Sequence, residues 1–204
     1  SGHIWPRHWA YDSGVRAPAY DPAGARRLME EAGLQLRAAD GQMPSRLRLR
    51  CAVYKPFRQI ALLVQRQLAE ADIDLQLEVM ELGDVVKRIG TSDYDTFLFE
   101  MTSGRTLLWP YLFWHSTSPF LKHGYSGADD VLERMRLARN DDEMRVAARA
   151  FQQRLLDDPP AAFLAWGRVS RAVTRRFELP ATGDDIYHTI PQWKPAGAAR
   201  PTND

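Results

Sequence analysis

The sequence predicts an α/β fold, a mostly parallel or mixed sheet flanked by helices. Three observations carry that expectation. Apolar residues alternate with polar ones over 47–53 and 75–79, and a third apolar run follows at 96–101. Amphipathic stretches of helical period separate these runs, and strand–helix–strand at that pitch favours right-handed crossovers and parallel pairing. The chain has 204 residues, 45% hydrophobic and 26% charged, which is enough apolar material for a packed core and rules out wholesale disorder.

Residues 1–20 contain Pro, Gly and two Trp without a sustained period, and read as an extended, partly packed lead-in. Asp21-Pro22 starts a helix, with Asp as N-cap and Pro where its missing N–H costs nothing. Ala25, Leu28, Met29 and Ala32 follow at helical spacing, and Gly33 stands where a left-handed cap belongs. Leu47, Leu49, Cys51 and Val53 form the first strand. Pro56 opens a helix to about Asp72 with Phe57, Ile60, Leu63, Val64, Leu68 and Ala71 on one broad face. Leu75, Leu77 and Val79 mark the second strand, a short helix near Asp84–Ile89 follows, and Thr96–Met101 is the third strand. Residues 102–125 read as aromatic and irregular.

Two helices are predicted next, about Ala128–Ala138 and Asp141–Leu156, the second with Asp141 as N-cap. Pro159-Pro160 breaks the pattern, and Ala161–Trp166 and Ser170–Phe177 read as strands. The tail from Glu178 is rich in Pro, Thr and Asp, with Tyr187 and Trp193 as isolated aromatics.

Several functions are disfavoured at once. Lys and Arg number 27 against 26 acidic residues, a net charge of +1, so nucleic acid is not an expected partner. No run of apolar residues is long enough to span a membrane. The single Cys51 can form no internal disulfide, and its strand register makes it an inert core thiol. Gly124-Tyr125-Ser126-Gly127 has the wrong spacing for a nucleophile elbow, and no phosphate-cradling glycine loop is present. The five His show no metal-binding spacing; a site from His3 and His8 would sit on the lead-in. Asp129-Asp130, Asp157-Asp158 and Asp184-Asp185 are adjacent pairs whose side chains diverge, suited to capping. Neither catalysis nor a metal or cofactor is expected.

Ligands of open α/β sheets gather outside the carboxyl ends of the strands. Three stretches fall there: Tyr54-Lys55-Pro56-Phe57, Glu81–Asp84 and Met101–Arg105. From them Tyr54, Lys55, Met101, Ser103, Gly104 and Arg105 are candidate ligand residues. Ser103 offers a hydroxyl, Gly104 a close backbone approach and Arg105 a forked cation. Among Trp109, Tyr111, Phe113, Trp114 and His115, Trp109 alone is assigned to the ligand, and the rest to packing.

The ordered motifs resemble one family. Tyr20-Asp21-Pro22 with Ala25, Leu28, Ala32 and Gly33; Ile60-Ala61 through Gln65, Gln67-Leu68 and Asp72-Ile73 to Met80; and Tyr94-Asp95 before an apolar strand are similar to the extracellular solute-binding proteins of dipeptide, oligopeptide and nickel ABC importers. The resemblance spans most of residues 20–180. It implies one lobe of a type II periplasmic-binding-protein-like fold: a lead-in or hinge segment at 1–20, the C-terminal ligand-binding lobe at 21–177, and a tail at 178–204 returning toward an N-terminal lobe that would precede Ser1. It further implies a periplasmic or extracytoplasmic location, a small-molecule or peptide ligand, and an ABC permease as partner. With that lobe absent, Trp5, Trp9 and part of 109–114 would be exposed. The resemblance also has a gap. Peptide-binding members carry a Trp and then an Asp beyond the third strand, and those places hold Met101 and Gly104, with Arg105 next. Arg105 would favour a carboxylate or phosphate over a peptide ammonium. The rival expectation is a small stand-alone α/β domain with a catalytic or protein-interaction role.

Overall fold

The structure is a computed structural model and describes residues 2–34, 47–101, 103–104, 106–121, 124–167, 172–180 and 189–197. The chain divides into two compact units, Ser1–Leu164 and Ala165–Asp204.

The first unit opens with helix α1 (Pro22–Glu31) after the lead-in. Its Asp21 side chain accepts the Gly24 N–H at 2.8 Å, and Gly33 adopts φ +68°, the left-handed turn that ends the helix. Strand β1 (Leu47–Tyr54) is central in a three-stranded parallel sheet of order β2–β1–β3, where β2 is Ile73–Met80 and β3 is Thr96–Leu98. The register runs from Leu47 opposite Ile73 to Tyr54 opposite Met80, while Cys51–Val53 faces Thr96–Leu98. Parallel pairing through the intervening helices matches the sequence expectation, although β3 stops at Leu98 rather than Met101.

One face of the sheet is covered by α2 (Arg58–Ala69), which follows a 3₁₀ turn at Lys55–Phe57. Cys51, Val53, Ala61 and Leu75 form a small core there, with Val64 and Leu68 packed against it. The apolar face of this helix is wider than the sheet can cover: Ile60 and Leu63 stay exposed. Helix α3 (Leu82–Thr91) starts earlier than predicted and buries Val85 and Ile89; Ser92 caps it in the left-handed region at φ 55°.

The main core lies beyond α3. Val85 and Ile89 meet Trp114 of α4 (Leu108–Trp114), Val131, Leu132 and Met135 of α5 (Asp129–Leu137), and Phe151 and Leu155 of α6 (Asp141–Asp157). Ile4 and Ala10 of the lead-in belong to the same cluster. The lead-in thus contributes core residues, a closer packing than its lack of periodicity signals. His3 is buried, and its Nδ1 accepts the Trp114 Nε1–H at 2.7 Å.

Three further expectations are corrected. The aromatic stretch holds a helix, α4: Pro110 falls in its first turn, where a missing N–H is tolerated, and Leu107, Pro110 and Trp114 all point inward at helical spacing. The N-cap of α6 is Asn140, not Asp141. The Asn140 side chain accepts the Glu143 N–H at 2.9 Å while Glu143 reaches back to the Arg139 N–H at 2.8 Å, a reciprocal capping arrangement. Residues 161–166 form no strand. A strand needs a ladder partner, and here Phe163 instead inserts its ring against Trp114 at 5.7 Å.

In the second unit, residues 168–171 lie outside the described part, and 172–176 are not strand. A two-residue strand β4 (Phe177–Glu178) pairs antiparallel with β5 (Lys194–Pro195). Trp193 packs against Phe177 with ring centroids 5.8 Å apart, so it is not isolated; Tyr187 and Asp184-Asp185 lie outside the described residues.

Candidate functional site

Parallel strands deliver their carboxyl ends to one edge of the sheet, and the register places Tyr54 one residue beyond Val53, which faces Leu98 of β3. Tyr54 is half-buried, with its ring edge-on to Phe57 at 5.7 Å, and it packs on the main core. Lys55 begins the 3₁₀ turn, where Pro56 carries the chain sharply away from the strand. Its Nζ lies 2.9 Å from Glu81 Oε1 at the end of β2, and both side chains are about two-thirds exposed. The Glu81 hydrogen bond holds the Lys55 ammonium above its ordinary range. This pair ties the turns after β1 and β2 together, and the partner of Lys55 is visible only in the structure.

Past β3, Met101 is half-buried against the main core. Ser103 Oγ is shut off from solvent and has no hydrogen-bond partner among the described residues. Gly104 lies beneath Trp109: a β-carbon there would stand 3.0 Å from Cδ1 and 3.3 Å from Nε1 of the indole. The close backbone approach expected of Gly104 is thus made to Trp109. Trp109 in turn stacks on Phe113 at 5.7 Å and meets Phe120 at 6.2 Å, and those two phenyl rings are 5.5 Å apart. Arg105 and Thr102 lie outside the described residues. Among the candidates the structure joins Lys55 to Glu81 and Gly104 to Trp109. Phe120 was missed as a partner of Trp109, since a single Phe five residues past His115 carries no sequence signal.

The aromatic stretch is largely turned inward. Tyr111 and Phe113 are half-buried and Trp114 is fully buried; Trp5 is half-buried, and Trp9, 48% exposed, lies under Arg145 at 5.3 Å. The expected exposed patch is therefore confined to Trp9. Helical periodicity turns most of these rings to the core.

One polar cluster joins α4 to α5. Tyr111 donates to Glu133 at 2.6 Å, Arg136 donates to the same carboxylate at 2.6 and 2.9 Å, and His115 stacks on Tyr111 at 4.7 Å. The Arg136 hydrogen bonds, then the Tyr111 one, hold the Glu133 carboxyl below its ordinary range; the same contact raises the Tyr111 hydroxyl. Asp129 accepts from the Ser116 N–H and hydroxyl at 2.8 and 2.6 Å. Glu133 thus ties α5 to Tyr111 of α4, and Asp129 ties it to the turn after α4. Among the described residues no group of three His, Cys, Asp or Glu could hold a metal ion, and no helix is long and apolar enough to cross a membrane. Cys51 is buried, and desolvation pushes its thiol up to about 11.

Comparison with known proteins bears on the family and the fold. Residues 2–120, over half of the chain, match the model for bacterial extracellular solute-binding proteins, family 5, middle section. A curated relative, di/tripeptide-binding protein 3 of Pseudomonas aeruginosa, is 29% identical over 104 residues, covering 48% of this chain and 18% of the relative. The chain thus spans about a fifth of that protein's length. The oligopeptide-binding protein AppA of Bacillus subtilis, solved with a nonapeptide, superposes with a TM-score of 0.66 at 17% identity, over 78% of this chain and 35% of that one. The periplasmic binding protein MelB of Agrobacterium fabrum, solved with stachyose, gives the same TM-score at 11% identity, over 78% and 28%. At those identities the likeness is one of fold.

Proposed function

The chain belongs to the bacterial extracellular solute-binding proteins of family 5, and on that premise we propose that it captures a solute for an ABC importer and does not transform it. The observation that carries this reading is the extent of the family match. Residues 2–120 contain all three parallel strands and every candidate ligand residue: Tyr54, Lys55, Met101, Ser103, Gly104, Arg105 and Trp109. In this proposal those residues form one wall of a cleft. A further lobe of the same protein supplies the other, with residues 1–20 and 178–204 carrying the connections around the lobe at 21–177. Closure of the two walls is driven by contacts the solute makes only in the closed state, and the closed form is what a membrane permease recognises.

The location follows from the role: outside the cytoplasm, periplasmic in an organism with two membranes. In this proposal the chain's role is binding rather than catalysis, which rests on the family match. The solute itself is open between peptides and carbohydrates, since relatives of this fold were solved with a nonapeptide and with stachyose. The test is calorimetry on two proteins, the complete protein and residues 1–204 alone. Ligand pockets enclose most of a ligand's surface, so one wall is insufficient. The complete protein is expected to bind a peptide or oligosaccharide while residues 1–204 do not bind it at micromolar affinity. Micromolar binding by residues 1–204, or chemical turnover of the bound solute, overturns the proposal.

A further inference from the structure

We propose that His3 makes the lead-in an acid-sensitive latch, which holds on α4 while the ring is neutral and lets go when the ring takes a proton. His3 is 2% exposed, and its Nδ1 accepts the Trp114 Nε1–H at 2.7 Å. An indole N–H can only donate, so Nδ1 presents a lone pair and the single ring proton sits on Nε2. A second proton has only Nδ1 to occupy. It would point at the Trp114 N–H, and the bond that ties the lead-in to α4 would be lost. Ile4, the next residue, is fully buried in the main core, so movement of His3 disturbs packed apolar contacts as well.

The surroundings also favour the neutral ring. Phe113, Trp114 and Phe163 place their rings around His3, with centroids at 5.6, 6.0 and 6.5 Å. Burial and a hydrogen bond made to the neutral form both act against an imidazolium. The titratable groups on the neighbouring elements have other partners. Tyr111 donates to Glu133 of α5, and His115 Nε2 lies 3.5 Å from the same carboxylate. From α6, Arg149 pairs with Asp12 and Arg154 with Asp130, each at 3.2 Å. His8, the other buried histidine of the lead-in, accepts the Ala10 N–H at 3.1 Å, a bond within its own segment. The consequence rests on the solute-capture reading, in which residues 1–20 carry one connection between the two walls. Acid slackens that connection, and the closed form reopens more readily to release its solute.

The test is hydrogen exchange of the Trp114 indole N–H in the complete protein without solute, at pH 7.5 and pH 5.5. Each rate is divided by its intrinsic value to give the opening constant. An opened ring titrates at the ordinary histidine value of about 6.5, which raises that constant about tenfold across the window. His3→Asn keeps an acceptor near the Nδ1 position and cannot titrate, so less than half of the rise is expected. A wild-type rise below threefold, or a variant rise at least half as large, overturns the latch. Should the variant fail to fold, the wild-type ring decides by NMR: titration below about 6.5 supports the latch, and titration at or above it overturns it. These readings need no solute, so failure of the latch leaves solute capture standing. A complete protein that captures nothing removes only the stated consequence.

Discussion

The side-chain amide of Gln152 takes the place of a peptide group opposite Asp12. The Asp12 N–H donates to Gln152 Oε1 at 2.9 Å, and Gln152 Nε2 donates to the Asp12 carbonyl at 3.1 Å. Gln152 is fully buried on α6, and these two bonds join residues 140 positions apart. They anchor the lead-in to the helical part of the core, next to Phe151 and Leu155.

Gln152→Leu is therefore expected to destabilise the first unit by about 1–3 kcal/mol, because both Asp12 backbone groups lose their partners at a partly buried position. Urea unfolding followed by tryptophan fluorescence measures it. A loss within error of zero would show that the two bonds are dispensable.

Gly104→Ala is expected to cost about 1–3 kcal/mol. The added methyl would meet the Trp109 ring at 3.0 Å, and that ring is held between Phe113 and Phe120 and has little room to retreat. The check is the thermal midpoint together with the Trp emission maximum. The double variant Gly104→Ala/Trp109→Leu should recover part of the loss, because the smaller side chain relieves the contact.

Cys51 should react with a disulfide reagent such as DTNB only as fast as the chain unfolds. Its thiol is buried on β1 and raised to about 11, so almost no thiolate exists at pH 8. Rapid labelling of the native protein would contradict the burial described here.

Stability should fall on acidification below the ordinary carboxylate values of Glu133 (4.5) and Asp95 (3.8). Arg136 and Tyr111 lower Glu133, and the Arg50 backbone N–H, at 2.7 Å, is the first cause for Asp95. A carboxyl whose folded pKa lies below its unfolded one contributes stability above the unfolded value and loses it as pH drops through the folded one. Urea midpoints across that window should decline, and Glu133→Gln should decline less steeply. Equal slopes in the two proteins would remove Glu133 from the account.

The local signals in this chain are strong where a residue acts on its own backbone. Asp21, Pro22 and Gly33 bracket α1 through interactions confined to one or two turns, and period-two alternation identifies β1 and β2 without reference to anything else. Asn140 shows where such reading slips by one residue. Asn and Asp both cap helices, and only the reciprocal bond with Glu143 distinguishes Asn140 from Asp141.

The sequence by itself determined the parallel α/β order, the place of Tyr54 at the end of β1 and, through its ordered motifs, the family. Those properties depend on local periodicity and on rules of chain connection, both of which operate over short separations. Only the tertiary structure decided what the remaining residues touch. It placed Ile4 and His3 against Trp114, turned 108–114 into a helix whose inward positions are Pro110 and Trp114, and denied residues 161–166 a strand by giving Phe163 a place in the core. It also paired Lys55 with Glu81, seated Gly104 under Trp109 and left Ser103 Oγ without a partner among the described residues. Each of these is a contact between segments far apart in the chain or a position in three-dimensional packing, and neither propensity nor spacing encodes it, because a side chain's partners are chosen by whatever the completed fold brings within reach.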